Sequence, residues 1–358
     1  MNREEFLKKL SENLNHVSKE ERDEILADFI EHFDQGSKEG KSDIEMIDQL
    51  GDVLEIASSY STGQIKQYVK SSKDADWNSS FNNSNIKEIF VDTDISNVII
   101  KELDISEIEV SVFSRDKEWI KDIETEISGD RLEINLHKKR KFKSIFGFGQ
   151  SLGYIKTEVR IPKNQIKRIE VDTDTGSINL RDINTNYIEL NTDTGNVDLK
   201  EIICDNIEMQ SDVGKVNIIK MTAKKAEIET DAGGLDIRES IAGEWNISSD
   251  VGHVSVIDVI GKMNIDTDVG NILYSVDTIA APVEIQSDVG KIDFAFCSGD
   301  CNIQADTDVG KVINEHRELI LLNSSKGFVG ASNSYAIGNR SNRVSLQTDV
   351  GKILIRNR

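Results

Sequence analysis

Proline is almost missing from this chain, two in 358 residues, which excludes a Pro-rich linker. The three cysteines, Cys204, Cys297 and Cys301, are an odd set whose one close pair has three residues between its members. That is not the spacing of a zinc knuckle, and free, mostly buried thiols in a reducing compartment are expected. No apolar run approaches the roughly 18 residues of a membrane span. The start, Met1-Asn2-Arg3-Glu4-Glu5-Phe6, lacks the apolar core and cleavage site of a secretory signal, so the expected location is cytoplasmic, with peripheral contact at the inner membrane face. Cations are also short, 43 Lys and Arg against 64 Asp and Glu, for a formal charge of -21. A surface of that sign repels a phosphate backbone and excludes a nucleic-acid partner. The five histidines, His16, His32, His137, His253 and His316, are scattered, and no residue pattern calls for a cofactor.

What the chain has is a phrase repeated through its C-terminal half, as in Ser211-Asp212-Val213-Gly214-Lys215-Val216. Its glycines are Gly176, Gly195, Gly214, Gly233, Gly252, Gly270, Gly290, Gly310 and Gly351, 18 to 20 residues apart until a last gap of about two periods. Self-similarity at such a period marks a stacked architecture. In the unit from Ile188 to Leu199, alternation predicts an inward row of Ile188, Leu190, Thr192 and Thr194, a tight corner, and a second strand with Val197 and Leu199 inward. The residue before each glycine is small or β-branched, which suits an inward corner position. A second, looser corner carries an apolar residue seven to nine positions after the glycine. One coil cannot bury its inner face alone, so the fold expected for 86–358 is a parallel β-solenoid, with Gly327-Phe328-Val329-Gly330 in a penultimate coil that lacks the aspartate.

Two positions before each glycine stands an aspartate: Asp174, Asp193, Asp212, Asp231, Asp250, Asp268, Asp288, Asp308 and Asp349. The glycine supplies a positive φ at the turn, the aspartate accepts from turn amides, and Lys215, Lys291, Lys311 and Lys352 offset the stacked charge. A carboxylate column can hold calcium, but the glycine-rich nonapeptide of calcium solenoids is absent, so no metal site is assigned.

Ahead of the solenoid, residues 1–70 read as a helical module. Phe6, Leu7, Leu10 and Leu14 recur at helical spacing, as do Ile25, Leu26, Phe29, Ile30 and Phe33. Capping boxes at Ser18 and Glu21, and at Ser42 and Glu45, start the second helix and a short third one ending at Gly51. The stripe of Phe29, Phe33 and Ile47 reads as core. Residues 71–85 are polar and read as a flexible linker.

Between 137 and 155 the period breaks at Lys138-Lys139-Arg140-Lys141-Phe142-Lys143, followed by Phe146 and Phe148 among glycines. Cations beside aromatics suit a peripheral contact with an anionic membrane surface or a protein partner. The other reading is a long hairpin whose rings fold back on the solenoid while its lysines pair with the acidic column.

The repeated phrase resembles the bacterial adhesin-type β-strand-repeat family, also called toast-rack domains, over residues 86–358. The run Arg3 to Leu7, the segment Glu24 to Phe33, and Ile47 to Asp52 with Ile56-Ala57 resemble a small helical signalling-type domain, with Val53 where proline is common. Together they resemble proteins of Gram-positive envelope-stress loci. That resemblance implies a non-catalytic regulatory or scaffold role, with protein partners that include envelope-stress membrane proteins. An adhesin-like surface protein is the alternative, and a carbohydrate-active β-helix enzyme a third reading for which the sequence offers no site.

Overall fold

The computed structural model describes residues 3–14, 75–114, 117–137, 155–327 and 329–358, together with Arg22, Leu26, Phe29, Ile30 and Phe33 singly. The chain divides into two compact units, and the β-rich one begins at Asp74. In the first unit, α1 (Arg3–Asn13) buries Phe6 and Leu10, and Leu14, just past its end, continues the same spacing and is buried too. Phe6 packs edge-on against Phe33 at 5.5 Å, and Phe33 is 2% exposed, so that ring is core. Both capping boxes, Ile25, Ile47, Gly51 and the third helix lie outside the described residues.

The β-rich unit starts with β1 (Trp77–Phe81), β2 (Glu88–Ile95), β3 (Asn97–Leu103), β4 (Ile108–Ser114), the one-turn helix α2 (Lys117–Ile120), β5 (Ile123–Ser128), β6 (Arg131–Leu136) and β7 (Ile155–Pro162). Its middle holds β8 (Arg168–Thr175), β9 (Ile178–Asn184), β10 (Tyr187–Thr194), β11 (Val197–Ile203), β12 (Asn206–Val213), β13 (Val216–Arg238), β14 (Ile241–Ile257), β15 (Ile260–Ile279) and β16 (Val283–Gly299). Last come β17 (Cys301–Asn314), β18 (Ile320–Lys326), β19 (Ala331–Ile337) and β20 (Asn342–Asn357). Residues 77–81, assigned from sequence to the linker, are thus a strand, and Trp77 and Phe81 pack on the core.

The middle is the parallel β-solenoid that the period demands. Ile188 pairs with Ile169 on one side and Ile207 on the other, and the same register repeats coil after coil. Inward side chains stack into columns whose sizes compensate: the fully buried Trp245 lies beside Ala226, and its indole N–H donates to the Ile260 carbonyl. The second corner is strict, with a left-handed residue six positions after the glycine at Asp182, Glu201, Lys220, Glu239 and Asp258. There the chain accepts a conformation that costs a non-glycine residue about 1 kcal/mol.

Both ends depart from sequence order. At the start, β2 lies between β6 and β8, so the coil formed by β2 and β3 is sandwiched between one that follows it and the rest. At the finish, β20 inserts between β16 and β17 and pairs in parallel with both. Residues 320–337 are no penultimate coil. They form an antiparallel pair, β18 on β19, laid against β17. Antiparallel strands close the other end too, β5 on β6 and β1 on β4 on β7.

Candidate interaction surface

The corner glycine has a second reason beside the positive φ that its turn suggests. Four of the nine have φ between 149° and 159°, which L side chains rarely adopt, and the other five show no positive φ of that kind. All nine touch the backbone of the next coil. A Cβ on Gly252 would sit 1.7 Å from the Gly233 carbonyl oxygen, and one on Gly290 1.6 Å from that of Gly270. Close backbone approach selects glycine at all nine, and a positive φ adds to it at Gly176, Gly214, Gly233 and Gly310. Ser96 holds this position in the coil of β2 and β3, where its carbonyl lies against Gly176 and its hydroxyl bonds Thr157 Oγ1 at 2.9 Å.

The aspartates likewise lose their expected partners. Corner amides donate along the stack, Gly195 N to Val213 O at 2.9 Å and Gly214 N to Ala232 O at 3.0 Å. Where a side chain helps, it is asparagine: Asn196 accepts from Lys215 N, and Asn271 from Lys291 N. Among the described residues no corner aspartate bonds a turn amide or one of the four lysines; Lys291 reaches Asp293 instead, at 2.6 Å. The column therefore stands mostly exposed and repels itself. Burial and then the neighbouring Asp193, Asp94 and Asp92 hold the Asp174 carboxyl above the usual range, and burial with Asp92, Asp174 and Asp193 does the same to Asp172.

The residue before the glycine turns outward, contrary to the alternation. Val213, Val251, Val269, Val289, Val309 and Val350 are about half exposed, between 46% and 54%. The inward place belongs to the residue three before the glycine, a buried Thr or Ser in each copy from Thr173 to Thr348. The corner needs two consecutive outward residues, so strict alternation through it fails by one. Register places Val213, Ala232, Val251, Val269, Val289, Val350 and Val309 in one column, beside the aspartates. The result is a continuous apolar ridge along an acidic edge.

Two further features lie on the sheet face built by the strand segments ahead of each corner, from β2 and β8 to β20. A groove of about 640 Å³ crosses β10 to β16, lined by carboxylates such as Glu208, Glu229, Asp266 and Glu284 with interleaved amides. At the N-terminal end of the same face, His137 is gripped by two acids, Nδ1 donating to Asp94 at 2.6 Å and Nε2 to Asp92 at 3.0 Å. The Asp94 hydrogen bond is the main cause that raises its pKa. Sequence scatter hid this cluster, because β6, which ends one residue before His137, stacks on β2, whose paired residues lie 43 positions earlier. His316 is buried and stacked on Phe296 at 4.2 Å, and burial lowers its pKa. His253 is exposed beside the ridge. The cysteines are free, Cys204 and Cys301 buried and Cys297 exposed.

Lys138, Lys139, Arg140, Lys141, Phe142, Lys143, Phe146 and Phe148 lie outside the described residues. The flanking strands place their point of departure: β6 leads up to them and β7 follows, at the corner position of the coil stacked on β2 and β3. Among the described residues no group of three or more His, Cys, Asp and Glu could hold a metal ion, and no helix is long and apolar enough to cross a membrane.

Stacked parallel coils with a glycine-tight corner define a β-solenoid that presents repeated surface columns. The chain belongs to the Toastrack DUF4097 family, whose pattern matches residues 86–356. Residues 5–59 match the HAAS domain. No curated protein matches the chain. Among solved structures it is similar to a proposed cell adhesion protein from Clostridium sporogenes, at 14% identity over 79% of this chain and 99% of that one, with a TM-score of 0.24. A proposed adhesin from Bacteroides fragilis is 11% identical over 78% and 96%, with a TM-score of 0.34. A proposed lipid-binding protein from Parabacteroides distasonis is 10% identical over 77% and 96%, with a TM-score of 0.44. The HAAS and Toastrack pairing fits a non-enzymatic surface or scaffold protein.

Proposed function

We propose that this protein is a non-catalytic regulatory or scaffold protein of the bacterial cell-envelope stress response, working at the inner membrane face through protein contacts. The observation that carries the reading is the valine ridge. An aliphatic column half exposed along a strongly acidic rod is the kind of surface that marks a protein contact. The repeat geometry also sets its acids in regular columns, the groove included, whereas glycoside hydrolysis uses one pair of carboxyls flanking the scissile bond. The basic aromatic segment between β6 and β7 supplies the peripheral membrane contact in this reading.

Crosslinking and affinity capture from the native envelope fraction test the ridge. Replacing Val251, Val269 and Val289 by threonine, which other copies carry at this position, is expected to remove the captured partners while leaving the circular dichroism unchanged. Unaltered capture would overturn the reading, as would recovery of the native protein only from the wall or medium. Flotation with anionic liposomes tests the segment: serine at Lys138, Lys139, Arg140, Lys141 and Lys143 should abolish it.

A further inference from the structure

The strand segments ahead of each corner form one continuous sheet, and among the described residues its two outermost strands are open. In spatial order it runs β5, β6, β2, β8, β10, then coil by coil to β16, β20, β17, β19 and β18. Among the described residues, β18 pairs only with β19 and β5 only with β6. An open edge offers unpaired amides and carbonyls to another strand, and proteins usually blunt it with charge.

The two edges carry opposite chemistry. All seven residues of β18 are exposed, with Ile320, Leu321 and Leu322 at 64%, 53% and 43%. A bulge at Leu322 interrupts its pairing with β19, leaving Asn323 to Lys326 regular. Residues 319–348 contain no Asp or Glu, in a chain that has 64 of them, yet include Lys326, Arg340 and Arg343. At the other edge β5 has Glu124 and Glu126 on its exposed side, followed by Ile127 at 42% exposure.

We propose that copies of this chain associate end to end, β18 of one adding to β5 of the next. Register and charge select this pairing: β5 on β5 sets carboxylates against carboxylates, whereas β18 on β5 at the shared levels sets Leu321 on Ile127 and the uncharged Asn323 and Ser325 opposite Glu126 and Glu124. Strand direction agrees. β18 runs with the parallel stack and β5 against it, so copies stacked in the same orientation meet as an antiparallel pair. The contact is heterologous and continues the same face from copy to copy. This goes beyond the scaffold reading and does not depend on any partner at the ridge.

Sedimentation of the purified full chain over a range of concentration and salt tests the proposal. The weight-average mass should rise with concentration and fall as salt screens the ends. Leu321→Lys with Leu322→Lys, both on exposed positions, should leave the chain monomeric with unchanged circular dichroism. Asn323→Glu, which sets a second carboxylate opposite Glu126, should weaken association about tenfold, and an equimolar mixture of that chain with the Glu126→Lys chain should regain it. A monomer at every concentration overturns the proposal. So does a mixture that associates no better than the Asn323→Glu chain alone, which would mean that the copies meet at β18 alone.

Discussion

The middle coils and the two ends of the solenoid obey different rules. From β8 to β16 each coil rests on the one before it, and every level has the same corner. At the ends, one coil at the start and one strand at the finish are threaded between levels that are not their sequence neighbours. A regular middle is replaceable unit by unit, because each level meets equivalent neighbours. The ends are not replaceable, because an inserted strand has two unlike partners and closes the core.

Removing residues 342–358 should break this contrast most severely. It takes out the strand that joins β16 to β17, together with Arg356 on Asp293 and Arg358 on Asp258 and Asp277. Loss of the folded C-terminal coils is expected by limited proteolysis and circular dichroism. Deleting one whole middle period, residues 187–205, should by comparison leave a cooperative fold, since β8 and β12 present the same register to β10. Equal damage from both deletions would erase the distinction.

Next in size is Gly252→Ala, which drives a methyl into the Gly233 carbonyl and should cost at least about 3 kcal/mol in denaturant titration. Gly129→Ala, at a left-handed turn with open space around it, should cost only about 1 kcal/mol.

A smaller effect sets the acidic N-terminal end apart by its response to pH. His137 has a raised pKa in the fold, so its contribution is complete below the ordinary value of about 6.5 and is lost as pH rises through the folded value. His137→Asn should flatten that part of the melting-temperature profile by less than about 1 kcal/mol, because the ring is 43% exposed. Smallest is Asp174→Asn. The folded carboxyl binds its proton more readily than the unfolded one, so its ionised form destabilises at neutral pH. The amide should stabilise by no more than about 0.5 kcal/mol at pH 7, a gain that disappears as pH falls below the carboxylate range.

Much of the solenoid was legible because its cause is local. The period, the inward Ile188 and Leu190, and the glycine itself follow from alternation and a recurring turn. The valines face outward because the corner spends two residues in succession on the outside, which alternation through Thr194 does not foresee; the inward Thr192 does follow from alternation and recurs as a buried Thr or Ser at every period. The aspartates looked like amide acceptors, yet the amides bond between coils, which no single coil reveals. His137 with Asp92 and Asp94 was invisible, since their approach depends on β6 stacking directly on β2.

By itself the sequence determined that a parallel solenoid forms, and where its corners fall, because one 19-residue period states both the inward row and the close backbone contact. Only the tertiary structure decided the order of levels, the direction the valines face and the chemistry of the two open edges. Those depend on which strands meet, and identical registers allow a strand to be inserted wherever its side chains complete the core.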